Sequence, residues 1–473
     1  MTTIAEENGQ AWAAAEFGEA MLGDRRRTRR LVTMAAAAAA KPSGKVTSVF
    51  CEGADREAAF RLLENDGVAP ENIALAMHAS TARRAAGAPF VLVPIDGSSL
   101  NLTDRTGEKG LGIVGARNKR AMGLCVMSAI AVAANGTPLG LCGQTFWARK
   151  QRSTRREEKH DRRKTEEKET RYWIEVMGHA RTVFAEHAPG TRPWFQLDRG
   201  GDGWPLILDA VTHESTEYAT IRASYNRRVR GGRTKQHYLW EQVERQPVAS
   251  EYELDVPGSP NRMARKARLS VQFAPVRLDL RDQRSKRHFE AALHAVLVQE
   301  LDTTPAGEKP IEWMLLTTYP VVTAEDALTV VWGYSQRWRI EEFHKLWKTG
   351  ACNVEDTQLR ADDHILRWAT ILASVAMRLL RLTYLARKTP DAPATVELSK
   401  SEVQAILLLR KPKSKPRGMP CISDAVRWLA DLGGYTGKSS GGPPGAIVLT
   451  RGLRRIEPVA MLIAAGEIVR VKK

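Results

Sequence analysis

Three apolar runs constrain this chain more than any other feature. Residues 90–95, 123–133 and 138–147 are each apolar and bounded by Gly, Asn or Pro, and they read as strands. Asn135-Gly136 separates the last two, and that dipeptide supplies the positive-φ residues of a tight hairpin. Two further strands, 194–198 and 219–225, follow a helical stretch over 172–186. A hairpin followed by strands separated by helices predicts an α/β domain with a mixed sheet.

On either side the pattern differs. Residues 10–40 read as helices joined at Leu22-Gly23-Asp24, with Asp24 as N-cap of a helix from Arg25 to Ala40. A second helix over 55–65 carries Ala58, Phe60, Leu62 and Leu63. Between 226 and 305 the segments 252–256, 267–273 and 276–280 alternate like antiparallel strands, which predicts a β-rich insertion. The α/β pattern resumes at 313–317 and continues into one long helix over about 324–348, with another over 365–386. Residues 149–171 carry both signs of charge without an apolar period and read as a mobile loop leading into the 172–186 helix. Basic 411–417 and Gly/Ser/Pro-rich 433–445 punctuate a helical C-terminal region. The expected division is a helical head over 1–70, an α/β domain with its insertion over 71–385, and a helical region over 386–473.

Charge narrows the function. Lys and Arg number 71 against 54 Asp and Glu, a net +17, which favours a polyanionic partner, nucleic acid or an anionic membrane. The most apolar stretch, 122–134, is too short to cross a bilayer, and residues 1–10 are polar, unlike a signal peptide. Five scattered cysteines without Cys-x-x-Cys spacing suggest a reducing compartment and no zinc module. The expectation is a cytoplasmic DNA-binding protein. Arg26, Arg27 and Arg30 in the head suit a DNA backbone; they would also suit a solvated face, but arginines are dense and acids sparse there.

Chemistry is concentrated in the helix around Glu341. With Tyr334 at 0°, Arg337 falls near −60°, Glu341 near −20° and Lys348 near −40°, at about 100° per residue. Glu342 lies about 100° from Glu341, so the adjacent glutamates are not interchangeable. A face of phenol, guanidinium, carboxylate and ammonium suits a phosphate backbone held beside a metal, or else a solvated face of paired charges.

The spacing Tyr334-x2-Arg337-x3-Glu341-x6-Lys348, with its neighbours Arg337-Trp338-Arg339-Ile340-Glu341-Glu342-Phe343-His344-Lys345, resembles the YREK signature of the insertion-sequence-four family of DDE transposases. Leu22-Gly23-Asp24, Ser43-Gly44-Lys45 and Ala264-Arg265-Lys266-Ala267 extend the resemblance over most of the chain, more weakly after residue 390. It implies a ribonuclease-H-like catalytic domain with a β insertion, a helical DNA-binding head and a C-terminal dimerisation region. It also implies that Asp96, in Val93-Pro94-Ile95-Asp96, and Asp198, in Leu197-Asp198-Arg199, join Glu341 as metal ligands. Such a trio holds two Mg²⁺ ions, with Mn²⁺ able to substitute, for in-line displacement at phosphorus.

The resemblance further implies cut-and-paste transposition through DNA hairpins, with double-stranded transposon ends and target DNA as partners. The protein would act as a homodimer in which each subunit cuts the end bound chiefly by the other. Trp313 matches a base-stacking position, and Arg222 and Lys266 match basic positions near DNA. Two departures bear on activity. Pro94 removes a donor from an expected central strand. The family's Asp-Arg-Glu-Ala-Asp run is Asp198-Arg199-Gly200-Gly201-Asp202 here, which predicts a looser loop. Alternatives at this point are a metal-dependent nuclease without strand transfer and a catalytically silent DNA-binding repressor.

Overall fold

The computed structural model describes residues 11–466 except 105–106, 108, 116–120, 150–168, 231–237, 257, 259–262, 283, 306, 411–417 and 438–442. Most of the 149–171 loop, the basic 411–417 stretch and part of 433–445 therefore lie outside the described residues.

The head is built from α1 (Ala11–Phe17), α2 (Arg25–Ala40), α3 (Val46–Val49) and α4 (Gly53–Leu63), and leads into α5 (Pro70–Ala85). Asp24 caps α2 as expected, its carboxylate accepting from the Arg26 amide at 2.8 Å. Strands β1 (Phe90–Asn101), β2 (Gly112–Ile113), β3 (Met122–Val132) and β4 (Pro138–Trp147) follow, then α6 (Thr170–His187), β5 (Arg192–Leu197), α7 (Trp204–Thr212) and β6 (Tyr218–Arg222). Next come α8 (Leu239–Glu244), β7 (Ser250–Val256), β8 (Arg265–Arg281), β9 (His288–Glu300) and β10 (Glu312–Thr317). Helices α9 (Ala324–Ser335), α10 (Trp338–Lys348), α11 (Asp362–Lys388), α12 (Lys400–Arg410), α13 (Ile422–Leu432) and α14 (Ala446–Ala464) complete the chain.

Strand order is β4-β3-β1-β5-β6, with β3 antiparallel to β1 and β4, and β5 parallel to both β1 and β6. That is the ribonuclease-H-like arrangement. The insertion lengthens the same sheet: β10 pairs antiparallel with β6, and β9, β8 and β7 follow in turn. Side-chain alternation divides two cores. Leu92, Trp194 and Leu315 pack with α9 to α11 and the terminal helices, whereas Val91, Val93, Phe195 and Leu316 pack with α6 and α7. Coverage on both faces explains why β3 reads as an unbroken apolar run.

Helix α11 is long and apolar enough for a membrane span, but 89% of that window is buried inside the protein. It anchors the head: Arg367 donates to the carbonyls of Val68 and Leu63 at 2.6 Å each, and Trp368 Nε1 to Gly44 O at 2.9 Å.

The structure departs from sequence expectation in four main places, the first being that β1 runs on through Asp96 to Asn101 instead of ending at Ile95. The segments 267–273 and 276–280 form one strand, β8, running through Pro275. In β8 the odd-numbered residues turn their backbone polar groups away from β9: Val271 O accepts from Ala249, Arg277 O accepts from Arg230, and Asp279 N donates to Arg228. Pro275 shares that parity, so its missing donor interrupts no β8–β9 bond. Strand β9 had no counterpart in the sequence reading. The long 324–348 helix is two helices, with a tighter turn at Gln336 and Arg337 whose amides donate to the carbonyls of Gly333 and Tyr334. Pro94 does lie in a central strand, but the β1–β3 ladder pairs Leu92 with Val132 and Ile95 with Ala129 and skips the two residues between. The gap in the ladder coincides with the missing donor.

Candidate active site

The last rung between parallel β1 and β5 pairs Ile95 with Leu197. Asp96 and Asp198 are the next residue on each chain segment. Strand β5 ends there while β1 runs on beside β3 to Asn101, so the two aspartates sit side by side where the β1–β5 pairing stops, at the carboxyl side of the sheet where open α/β sheets form crevices. Glu341, in the first turn of α10, faces them. Arg337 links the group: its Nη1 donates to Asp96 Oδ2 at 3.1 Å and lies 3.5 Å from Glu341 Oε1. The Arg337 side chain is 12% exposed and that of Glu341 43%, so the carboxylate reaches open space over a buried cation. Lys348 Nζ donates to Ser98 Oγ at 3.2 Å and lies 3.7 Å from Glu355. Glu342 is elsewhere, accepting from the Tyr384 hydroxyl at 2.9 Å.

Burial, and then the neighbouring Asp198 carboxylate, push Asp96 up to about 7; Arg337 offsets only part of this. Crowded carboxylates that resist ionising together favour a hard cation between them, and a donor set of carboxylate oxygens fits Mg²⁺ or Mn²⁺.

The two-glycine loop is fastened rather than loose. Asp198 Oδ1 accepts from the Gly200 amide at 2.8 Å and caps the 3₁₀ turn Arg199–Gly201. A Cβ on Gly201 would lie 2.7 Å from Leu197 Cβ, so only glycine lets the turn close over the strand end. Asp202 then pins the loop. Its Oδ2 accepts from Ser224 N at 2.6 Å, Ser224 Oγ at 3.1 Å and Tyr225 N at 3.1 Å, and its Oδ1 accepts from Arg227 Nη1 at 2.5 Å. The sequence contains Asp202 but nothing that ties it to residues 22 to 25 positions away.

The remaining expected residues separate. Tyr334 is only 5% exposed and meets Trp313 edge-on at 5.6 Å, so it is part of the site's wall rather than an open phosphate ligand. Arg222 lies against Tyr334 and donates to Glu312 O at 2.8 Å. Half-buried Trp313 begins β10, beside these groups. Lys266 is exposed and paired with Glu253 at 3.2 Å. In the head, Arg26 is exposed, and Arg30 is 3.8 Å from Asp55. Arg27 instead donates to Leu22 O at 3.0 Å and Gly67 O at 3.1 Å, stitching the head together. Exposed Arg25 and Arg29 add positive surface there.

Three family models match the chain. The transposase DNA-binding model covers residues 9–68, the transposase DDE domain covers 143–378, and the transposase Tn5 dimerisation domain covers 374–469. The chain belongs to the Tn5-like transposases. The matched order, DNA-binding, DDE and dimerisation, agrees with the helical head, central α/β domain and helical C-terminal region. This transposase therefore binds DNA, forms homodimers, and is a DNA-cleaving and strand-transferring enzyme that depends on a divalent metal. Asp198 and Glu341 fall inside the DDE match. Asp96 lies before its start, so its assignment rests on its place beside Asp198 where the β1–β5 pairing stops.

Proposed function

We propose that this transposase excises and inserts its element by cut-and-paste, with Asp96, Asp198 and Glu341 holding two Mg²⁺ ions, or Mn²⁺ in their place. The observation that carries this is the convergence of the three carboxylates around Arg337 where the β1–β5 pairing stops. When bound, the ions supply Lewis acidity, activating the attacking oxygen and stabilising the leaving one.

The protein's own groups position DNA. In the first step water attacks the scissile phosphorus and the transposon strand leaves as a 3′-hydroxyl. That hydroxyl attacks the opposite strand, displacing the flanking DNA and closing a hairpin. Water reopens the hairpin, and the same 3′-hydroxyl then attacks a target phosphodiester. Arg337 and Lys348 neutralise phosphate charge at the site, and Arg222 adds a cation behind Tyr334. Trp313, half-buried beside Tyr334, offers a face for the base that must leave the stack when the hairpin closes. Head arginines grip the transposon end, and Lys266 extends the basic surface. The domain limits proposed are 1–70, 71–385 and 386–473, and the protein works in the bacterial cytoplasm at the nucleoid.

The test uses the full-length protein, Mg²⁺ and DNA carrying the inverted repeats of its own element. Hairpinned ends and integrated product are expected. Trp313→Ala should leave first-strand nicking intact and lower hairpin closure about tenfold, the scale of one lost base–aromatic stack. Free cut ends with no hairpin or integration would replace this reading with a simple nuclease.

Asp96 adds a pH dependence. Its carboxyl is raised in the folded, metal-free protein, so protonation stabilises the fold below about 4, and that contribution is lost as pH rises through about 7. A cation must displace this proton. Apparent Mn²⁺ affinity, measured by calorimetry, should therefore rise from pH 5.5 to 7.5 and level off above. An affinity that stays flat over that range would contradict the assignment of Asp96.

A further inference from the structure

The β8–β9 ribbon ends in a turn that neither the carboxylate site nor the head uses. Arg281, Arg284, Lys286 and Arg287 are all exposed there, and none is ion-paired with another described residue. The turn's acid, Asp282, leaves the four cations in excess. Asp282 accepts from the amides of Arg284 at 3.0 Å and Ser285 at 3.2 Å and from the Ser285 hydroxyl at 2.5 Å, so its carboxylate serves the turn's own backbone. Lys286 takes the left-handed conformation, φ 59°, that closes it.

The strand register carries this basic tip away from the carboxylate end of β9, where Gln299 pairs with Glu312, and an aromatic stack ties it back to the Asp198 loop. Phe289, next to the turn, stacks on Trp204 with ring centroids 5.3 Å apart and planes 2° from parallel. Trp204 begins α7, two residues after the Asp202 that pins the Asp198 loop. A second tie comes from the chain leaving β6: Val229 bridges to Leu278, and Arg227 holds Asp202. The tip is therefore fixed to the loop that carries Asp198. The head, by contrast, packs on α5 and α11, which lie on β4 at the other side of the sheet. The tip does not continue the head's basic surface, and it needs a different stretch of DNA.

We propose that this tip is the docking surface for target DNA: Arg284, Lys286 and Arg287 contact phosphates of the duplex that receives the transposon 3′-hydroxyl. The inference rests on the transposase reading above. Four cations on a two-stranded ribbon tied to the Asp198 loop match a polyanionic backbone without reading its sequence.

The experiment separates target binding from end cleavage. Full-length protein carrying Arg284→Ala, Lys286→Ala and Arg287→Ala together is compared with the unaltered protein on two substrates. One is an end with flanking DNA, scored for cleavage. The other is a precut end without flank, scored for strand transfer into a supercoiled plasmid. Cleavage should change less than about twofold, while strand transfer of precut ends should fall about tenfold or more at moderate salt, with a salt dependence shallower by about 2 to 3 in log–log slope. Arg284→Lys with Arg287→Lys should restore strand transfer to within about threefold. Unchanged strand transfer would overturn the proposal, and so would an equal loss of cleavage, which would assign the surface to flanking DNA or to folding. No strand transfer by the unaltered protein would instead bring down the transposase reading, and this inference with it.

Discussion

Glu341→Ala is expected to lower cleavage of transposon ends by on the order of 10³-fold, while its neighbour's conservative change, Glu342→Gln, stays within about threefold. The contrast follows from where the two carboxylates go. Glu341 is 3.5 Å from the Arg337 guanidinium that also holds Asp96, and its side chain is 43% exposed. Glu342 is turned toward α11, where both oxygens accept from Tyr384, and Arg339 lies 3.8 Å away. On the proposed assignment, removing Glu341 takes away charge where the reaction needs it; glutamine at 342 keeps an acceptor for the phenol. Gel analysis of end-labelled DNA, alongside a binding assay to show that the end is still held, decides the matter. Comparable losses at both positions, or cleavage surviving in Glu341→Ala, would sink the assignment.

Asp202→Ala should be the most damaging substitution for stability near the site, costing about 3–5 kcal/mol, because it leaves the half of a buried pair that cannot neutralise itself. The Asp202 side chain is fully buried and accepts from Ser224, Tyr225 and Arg227, and Arg227 also donates to the Asp202 carbonyl at 2.8 Å. Alanine would strand the Arg227 guanidinium and two backbone amides at once. It would also release the loop that positions Asp198, so activity should fall more than the folded fraction does. Denaturant titration followed by activity at a fixed folded fraction separates the two effects. A stability loss below about 1 kcal/mol would show that water replaces the carboxylate readily, contrary to the burial seen here.

Much of this architecture was legible in the residues. The strand limits of β4, the hairpin at Asn135-Gly136 and the Asp24 cap follow from local rules that tertiary packing did not override. The separation of Glu341 from Glu342 survived the break at Gln336 and Arg337, because a tightened turn shifts a helix face by less than the roughly 100° between neighbours. What failed was long-range. Pro275 reads as a strand breaker unless the side on which β9 pairs is known. Arg27 reads as a DNA ligand until the carbonyls of Leu22 and Gly67 are found within its reach. Tyr334 reads as one of a charged face until Trp313, 21 positions earlier, is seen against it.

Sequence by itself determined what one helix face carries: spacing around Glu341 groups a carboxylate with cations, and the family resemblance of that spacing is what pointed to Asp96 and Asp198. Tertiary structure decided whether those groups meet. The parallel pairing of β1 with β5 ends at Ile95 and Leu197, which puts the two aspartates side by side, and buried Arg337 and Asp202 hold them against their mutual repulsion. Charge repulsion and burial depend on distances between residues far apart in the chain, and only the folded sheet fixes those.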